Sequence, residues 1–258
     1  MTPKLEYSIG DDVARTTLNR PESMNAIDTE LLREWQTALD EIEAADVKLL
    51  TVRGADGVFS AGADLEKVNA YIKNDEREKM AEFLTAIHDV TARLESLSVP
   101  TLAAVEGYAL AGGIELLLAC DLAVASTEAR IGDQHANYGL AAGGGGTQRI
   151  VQATTKHRAN DLMFTGRHLS GEQAEEWGIV SRTFPPEDFE DELAALEGEL
   201  ATKSPKAAAL TKNLMRVARE VGGEEGLELE RRRVTDFNFS DEVLEGLAAF
   251  EEGREPDF

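Results

Sequence analysis

The chain of 258 residues contains 42% hydrophobic side chains, a proportion typical of a globular protein with one sizeable core and not of a disordered chain. Its 49 acidic and 26 basic residues give a formal net charge of −23, which argues against nucleic acid and anionic membranes as partners. No apolar run reaches the roughly 18 residues of a membrane span, no secretory signal is visible, and a single cysteine cannot form an internal disulfide, so we expect a cytoplasmic protein.

The acidic residues are spread along the chain and form no acidic tail. The charge is therefore a property of the whole surface. Because a well-hydrated acidic surface suits a high-salt cytoplasm, we expect a halophilic source and a need for salt on the order of molar, at which the Debye length falls to about 3 Å. An ordinary acidic protein is the alternative.

The first predicted elements are a hairpin, a helix and a strand. Residues 5–9 and 13–18 flank a Gly-Asp-Asp turn and predict the hairpin. Asp28 can cap a helix that runs to about Ala44 with its apolar residues on one face. The apolar residues of 47–52 predict a strand.

A glycine-containing loop at 58–65 leads into a charged segment. The apolar pattern through Arg77 is weak, and we expect part of that segment to be mobile. Helical spacing returns from Met80 to Leu97, and Pro100 ends this helix.

The middle of the chain predicts more strands and short helices. The predicted strands cover residues 102–105, 122–125, 129–132 and 179–184. Gly112 begins an apolar helix that ends before Asp121, and Ser170 begins a short helix with capping-box spacing. After Pro186 only helical patterns remain. The fold class is therefore α/β, with a core at 1–186 that holds the active site and a helical region at 187–258.

The apolar run at 102–105 and the stretch from Tyr108 to Asp121 that follows it have the sequence of a strand that turns sharply into a buried helix. Gly112 and Gly113 allow close approach to the backbone, and the free N–H groups of a helix start stabilise an oxygen that gains negative charge. Glu115 lies three residues after Gly112 and shares its face. A carboxylate beside such donors is a catalytic arrangement; a tight packing contact with an incidental glutamate is the alternative.

Together with residues 58–65 and 143–149, this stretch resembles the crotonase family, also called the enoyl-CoA hydratase/isomerase family. The resemblance covers nearly the whole chain, from 18–21 and 25–26 to 245–250. It implies a crotonase-like spiral of strand–strand–helix turns. It also implies that the C-terminal helices pack the chain into a homotrimer or a dimer of trimers, which is a hexamer.

The resemblance implies an oxyanion hole that polarises the carbonyl of a coenzyme A thioester. The donors would be the backbone N–H groups of Ala63 and Gly112, each contributing on the order of a hundredfold in rate. The coenzyme A thioester is the substrate, and no further cofactor is implied. The four histidines show no metal-ligand spacing.

The acid–base pair departs from the family pattern. Family hydratases place two glutamates at the substrate double bond, and Glu115 matches the first. His135 stands where the second would be. Histidine titrates near neutral pH, so catalytic, substrate-binding and structural roles all stay open, and Asp133 is a weaker candidate for the same pocket.

Binding of coenzyme A to so acidic a protein needs local basic groups or backbone donors. The residues that the resemblance assigns to coenzyme A are Asn25, Ala26, Ile27, Ala61, Ala63, Asp64, Leu65 and Gly112. Arg20, Lys67 and Arg254 are possible phosphate partners, although an ordinary surface charge is the simpler interpretation of each. Gly253 stands where relatives often carry a lysine.

The simplest function is that of an enoyl-CoA hydratase, a lyase that adds water syn to 2-enoyl-CoA in fatty-acid or related acyl-CoA metabolism. Because His135 replaces the second glutamate, an enoyl-CoA isomerase, or another enzyme acting through a thioester enolate such as a decarboxylase or hydrolase, is the first alternative. A non-catalytic protein that binds coenzyme A thioesters is the second.

Overall fold

The structure, a computed structural model, describes residues 2–258. The strands are β1 (Leu5–Ile9), β2 (Val13–Leu18), β3 (Leu49–Gly54), β4 (Thr101–Val105), β5 (Tyr108–Leu110), β6 (Leu122–Ser126), β7 (Arg130–Gly132), β8 (Leu169–Ser170) and β9 (Arg182–Phe184). The helices are α1 (Thr29–Ala44), α2 (Leu65–Lys73), α3 (Arg77–Ser96), α4 (Gly112–Ala119), α5 (Gly146–Ala153), α6 (Lys156–Thr165), α7 (Gly171–Trp177), α8 (Phe189–Ala201), α9 (Pro205–Glu220), α10 (Gly223–Phe237) and α11 (Asp241–Glu252).

The strands form two sheets, and consecutive strands of one strand–strand–helix repeat lie in different sheets. Six strands form a sheet in the order β1-β2-β3-β4-β6-β9, parallel except for the β1–β2 hairpin, and three form a second sheet in the order β5-β7-β8. In the repeats β4-β5-α4 and β6-β7, the first strand joins the large sheet and the second joins the small one. The predicted α/β spiral of strand–strand–helix turns is confirmed.

Apolar side chains cover both faces of the large sheet. Successive strand residues point to opposite faces, so Leu50 joins the main core with α1 and α3, whereas Leu49 packs on the other side with Leu193 of α8. The last strand ends at Phe184, close to the predicted boundary at 186. Helix α8 lies beyond that boundary and still belongs to the packed core.

Short sequence signals such as capping residues predicted where several helices begin. The Asp28 side chain accepts from the N–H of Leu31 at 2.8 Å at the start of α1, and Ser170 forms the predicted capping box of α7. The charged segment after Asp64 forms helix α2, which was not predicted, and the mobility expected for part of the segment stays a prediction. Strands β5 and β8 and helix α6 were not predicted, since two or three residues carry too little periodicity to detect and α6 buries only two side chains.

No helix within residues 2–258 combines the length and the apolar composition that crossing a membrane requires.

Candidate active site

The turn from β5 into α4 is made by one residue in an unusual conformation. Ala111 has φ +49° and ψ −113°, and its N–H donates to the carbonyl of Gly132 at 3.0 Å. A non-glycine residue in such a conformation costs on the order of 1–3 kcal/mol. The strand thereby becomes a helix within one residue.

The loop that carries Ala63 lies against the start of α4. A Cβ added to Gly112 would lie 3.3 Å from the backbone nitrogen of Ala63, and one added to Gly62 would lie 2.7 Å from the nitrogen of Gly112. Within residues 2–258, neither the Ala63 N–H nor the Gly112 N–H donates to a protein acceptor. The structure thus brings the two expected oxyanion donors side by side, and their catalytic role stays a prediction.

Glu115 is buried in the first turn of α4 and is held by the glycine-rich loop. Its Oε1 accepts from the N–H of Gly144 at 2.8 Å and from that of Gly146 at 2.9 Å. A Cβ on Gly144 would come within 2.7 Å of Oε2, so only glycine fits beside the carboxylate. Oε2 has no donor among the described residues. The loop therefore fixes one carboxylate oxygen and leaves the other for a ligand.

Burial raises the pKa of Glu115 above its ordinary value, because the charged carboxylate loses its water. The N–H groups of Gly146 and Gly144 and the charge of His135 oppose this effect without cancelling it. A carboxylate with a raised pKa takes up a proton more readily, as a general base must.

His135 is oriented by a buried aspartate two residues before it. Its Nδ1 lies 3.0 Å and 2.9 Å from the two carboxylate oxygens of Asp133, and its backbone N–H donates to Oδ1 of the same residue at 3.0 Å. Because a carboxylate only accepts hydrogen bonds, Nδ1 carries the hydrogen. Nε2 is then the ring nitrogen left for a ligand.

The pKa of His135 is raised although the ring is partly buried. Burial alone lowers it, and the Asp133 hydrogen bond, the Asp133 charge and the Glu115 charge together outweigh that effect. The imidazolium therefore persists to higher pH than in an exposed histidine.

These groups meet in one cavity of about 320 Å³. Ala63, Gly112, Glu115 and His135 all line it, and apolar side chains of α2 and α3 form the opposite side. Sequence reasoning had paired Glu115 with His135. It had not found the donors Gly144 and Gly146, and it gave Asp133 little weight, although the Asp-x-His spacing was a usable signal.

The residues expected to hold coenzyme A divide into two groups. Ala61, Ala63, Leu65 and Gly112 line the cavity, together with Met24, whereas Asp64 does not line it and pairs with Arg20. Asn25, Ala26 and Ile27 are buried behind it. The Asn25 side chain accepts from the N–H of Arg20 and donates to the carbonyls of Ala55 and Val58, and Ile27 bonds through its backbone to Gly62 and Asp64. This inner group holds the Ala63 loop in place, and a contact of either group with coenzyme A stays a prediction.

All three basic residues considered as phosphate partners form ion pairs within the chain. Arg20 pairs with Asp64 at 3.0 Å, and Lys67 pairs with the buried Asp28 at 2.6 Å. Arg254 pairs with Glu245 at 2.6 Å. A phosphate would have to compete with these carboxylates.

Comparison with known proteins decides the family. Residues 8–258 match the model of the family described as enoyl-CoA hydratase/isomerase. A probable enoyl-CoA hydratase of Mycobacterium tuberculosis is 35% identical over 244 residues, which cover 94% of this chain and 92% of that protein. The chain belongs to the enoyl-CoA hydratase/isomerase family.

Two further similarities agree with this membership. The 2,3-dehydroadipyl-CoA hydratase of Escherichia coli is 35% identical over 250 residues, covering 94% of this chain and 93% of that protein. The crystal structure of an enoyl-CoA hydratase from Bacillus anthracis superimposes with a TM-score of 0.92 at 30% identity, over 99% of this chain and 98% of that one. Membership of the enoyl-CoA hydratase/isomerase family places the protein among the enzymes of acyl-CoA hydratase and isomerase type.

Proposed function

We propose that the protein is an enoyl-CoA hydratase in which Glu115 and an Asp133-oriented His135 form the acid–base pair. The observation that carries the proposal is that Glu115 and His135 line the same cavity as Ala63 and Gly112, whose N–H groups have no acceptor among the described residues. An oxyanion hole alone would serve many thioester reactions. Two proton-transfer groups beside it are what the addition of water requires.

The reaction follows from these positions. The thioester oxygen accepts from the N–H groups of Ala63 and Gly112, which draws electron density from the double bond and makes C3 electrophilic. Glu115 Oε2 takes a proton from water as the water oxygen bonds to C3. The enolate then receives a proton at C2 from Nε2 of the His135 imidazolium. Proton exchange with solvent restores the carboxylate and the imidazolium.

An enoyl-CoA isomerase is the rival within the family, because one glutamate suffices to move a proton between two carbons. Incubation with 2-enoyl-CoA and with 3-enoyl-CoA at molar salt, followed by mass spectrometry, separates the two. The hydratase proposal predicts 3-hydroxyacyl-CoA, which is heavier than the substrate by one water. Interconversion of the double-bond isomers at unchanged mass contradicts it, and so does binding of both thioesters without turnover.

We also propose that the protein assembles as a homotrimer or a dimer of trimers. Helices α9 to α11 and the turn between α10 and α11 expose large apolar side chains that a second copy would cover: Met215, Leu227, Phe239, Leu244, Leu247 and Phe250. Light scattering tests this directly. A mass of only 28.0 kDa, that of one chain, would contradict the assembly.

A further inference from the structure

The loop that holds Glu115 is made of glycines. The two N–H groups on its Oε1 belong to Gly144 and Gly146, and Gly145 between them has φ +102°. Glycine has more conformational freedom than any other residue, so the glycine run at 143–146 does not by itself keep two N–H groups on one oxygen atom. A group outside the run must fix its conformation.

The side chain of Arg149, near the start of α5, packs against this loop. Its Nη1 donates to the carbonyl oxygen of Gly144 at 2.9 Å, and within residues 2–258 it is the only donor to that oxygen. A Cβ added to Gly145 would overlap Nη1, so the guanidinium fills the space beside that glycine. The carbonyl belongs to the peptide unit between the two that carry the N–H groups, and a bond to it restrains the rotation of both neighbours.

Glu95, near the end of α3, holds the other edge of the guanidinium. Arg149 Nε donates to Oε1 at 3.0 Å and Nη2 donates to Oε2 at 2.8 Å, which is the bidentate geometry of an arginine on a carboxylate. The Arg149 side chain is only 12% exposed. Arg219 of α9 also lies near Glu95, but at 3.9 Å it is beyond hydrogen-bond distance. Helix α3 buries five residues in the core, so the pair ties the glycine loop to a packed element.

The position of Arg149 in α5 is not explained by the helix itself. A positive charge near the start of a helix is disfavoured by the helix dipole, and the bonds to Glu95 and Gly144 offset this cost. Nor is Arg149 among the principal groups that set the pKa of Glu115, which are its burial, the N–H groups of Gly146 and Gly144, and the charges of two nearby side chains. Arg149 therefore acts on the glutamate through the shape of the loop.

We propose that Arg149 is the positioning residue of the Glu115 carboxylate. Held by Glu95, it fixes the Gly144 carbonyl, which keeps the N–H groups of Gly144 and Gly146 on Oε1 and leaves Oε2 to take the proton. Arg149 does not line the cavity, so it touches neither the substrate nor the reacting atoms. The inference rests on the proposed function for the role of Glu115 as the base.

Arg149→Met keeps the length of the side chain and removes every N–H donor. We expect kcat to fall by about ten- to a hundredfold, because a misplaced base costs about that much, while KM changes little. The N–H bonds to Oε1 favour the charged carboxylate, so loosening them raises the pKa of Glu115 and moves the acid limb of kcat/KM to higher pH. The other ionisable groups around Glu115 stay in place: His135 and Tyr138, which line the cavity, and Asp133 behind His135.

Arg158→Met is the matched control. Arg158 of α6 also pairs with a glutamate, Glu176, and also donates to a backbone carbonyl, but it lies outside the lining of the cavity. Its kcat and pH profile should match those of the wild type. Glu95→Gln tests the second member of the pair. The amide still accepts one N–H bond from Arg149, so the acid limb should move in the same direction and by less than in Arg149→Met.

Infrared titration of the Glu115 carboxyl gives a second measurement that needs no turnover. Its band is the one absent from Glu115→Gln, and its midpoint should rise in Arg149→Met and stay unchanged in Arg158→Met. Should Arg149→Met fail to fold by circular dichroism, Glu95→Gln decides by the same two measurements.

Two results would overturn the inference. One is a folded Arg149→Met with the kcat of the wild type. The other is a loss of kcat in which the acid limb and the infrared midpoint both stay where the wild type has them, because that loss would be merely structural. A raised midpoint in a protein that hydrates no enoyl-CoA would refute the proposed function and leave the positioning role of Arg149 standing, so the two failures are distinguishable.

Discussion

The site wall, which carries Glu115 and His135, and the C-terminal arm, which comprises residues 205–252 with helices α9 to α11, differ in where their side chains find partners. In the wall, Glu115 and His135 are each hydrogen-bonded by other groups of the same chain. In the arm, within the described chain, neither α9 nor α10 buries a residue, and Phe239 and Phe250 are each 83% exposed. The wall is complete in one chain, whereas the arm needs something to cover it.

One lysine whose side chain is only 8% exposed joins the arm to the core. Lys212 Nζ donates to the carbonyls of Leu94 and Val99 at 2.9 Å and 3.0 Å, and it pairs with Asp121 at 2.7 Å. Asp121 follows α4 at the end opposite to Glu115. Because Glu115 and His135 are held by groups of their own chain, we expect changes at the site wall and changes in the arm to act independently.

The largest expected effect belongs to the wall. Glu115→Gln should lower kcat by about a hundred- to ten-thousandfold, the range of a positioned acid–base group, with thioester binding and assembly unchanged. The amide oxygen can still accept from Gly144 and Gly146, but the side chain cannot take a proton. Glu82→Gln, an exposed change of the same kind on α3, is the control. Retention of most activity in Glu115→Gln would mean that the start of α4 is not the catalytic centre.

His135→Gln should lower kcat by a smaller factor, about ten- to a hundredfold, because Glu115 and the oxyanion donors remain. If His135 transfers a proton, the pH–rate profile should also lose a limb near neutrality. A rise in KM with an unchanged profile would instead show that His135 only holds the substrate. Steady-state kinetics over pH 5 to 9, about two units either side of neutrality, separates the two.

In the arm, Phe250→Asp should shift the assembly toward the 28.0 kDa monomer, while the core stays folded by circular dichroism. Burying a phenylalanine at an interface stabilises it by about 1.5–3 kcal/mol, and an aspartate there would be unfavourable. Glu251→Ala, the next residue on the same helix, is the control and should keep the assembly. An unchanged mass for Phe250→Asp would place the interface elsewhere and break the contrast between wall and arm.

The most gradual effect is that of salt, which acts on the whole surface. With a net charge of −23, we expect folding, assembly and activity to improve as salt rises toward the order of molar, where the Debye length is about 3 Å. Thermal melting and light scattering along a salt series would measure it. Full activity and an unchanged melting temperature in dilute buffer would show that the acidic surface has no such requirement.

Local signals in the sequence predicted much of the fold and part of the site. The cap at Asp28, the capping box at Ser170 and the turn before Glu115 depend on residues within one or two helical turns, so the pattern contains them. The resemblance then placed His135 in the same pocket as Glu115, which periodicity could not have done.

Contacts between distant segments account for what could not be predicted. The bonds from Gly144 and Gly146 to Glu115 join residues about thirty positions apart, and nothing in a glycine run shows that a carboxylate will occupy it. Helix α2 was missed because it has only nine residues, with few apolar positions among charged and polar neighbours. Helix α8 was assigned to the C-terminal region although Leu193 packs against the large sheet.

The central claim, that Glu115 and an Asp133-oriented His135 share the proton transfers, is tested most directly by the pH dependence of kcat/KM for the wild type and for Asp133→Asn. A base acts in its deprotonated form, so kcat/KM should rise as the pH passes the raised pKa of Glu115. An acid acts in its protonated form, so kcat/KM should fall again as the pH passes the raised pKa of His135. Replacing Asp133 removes the charge that keeps the imidazolium protonated, and the alkaline limb should move to lower pH. An alkaline limb that stays where the wild type has it would contradict the claim.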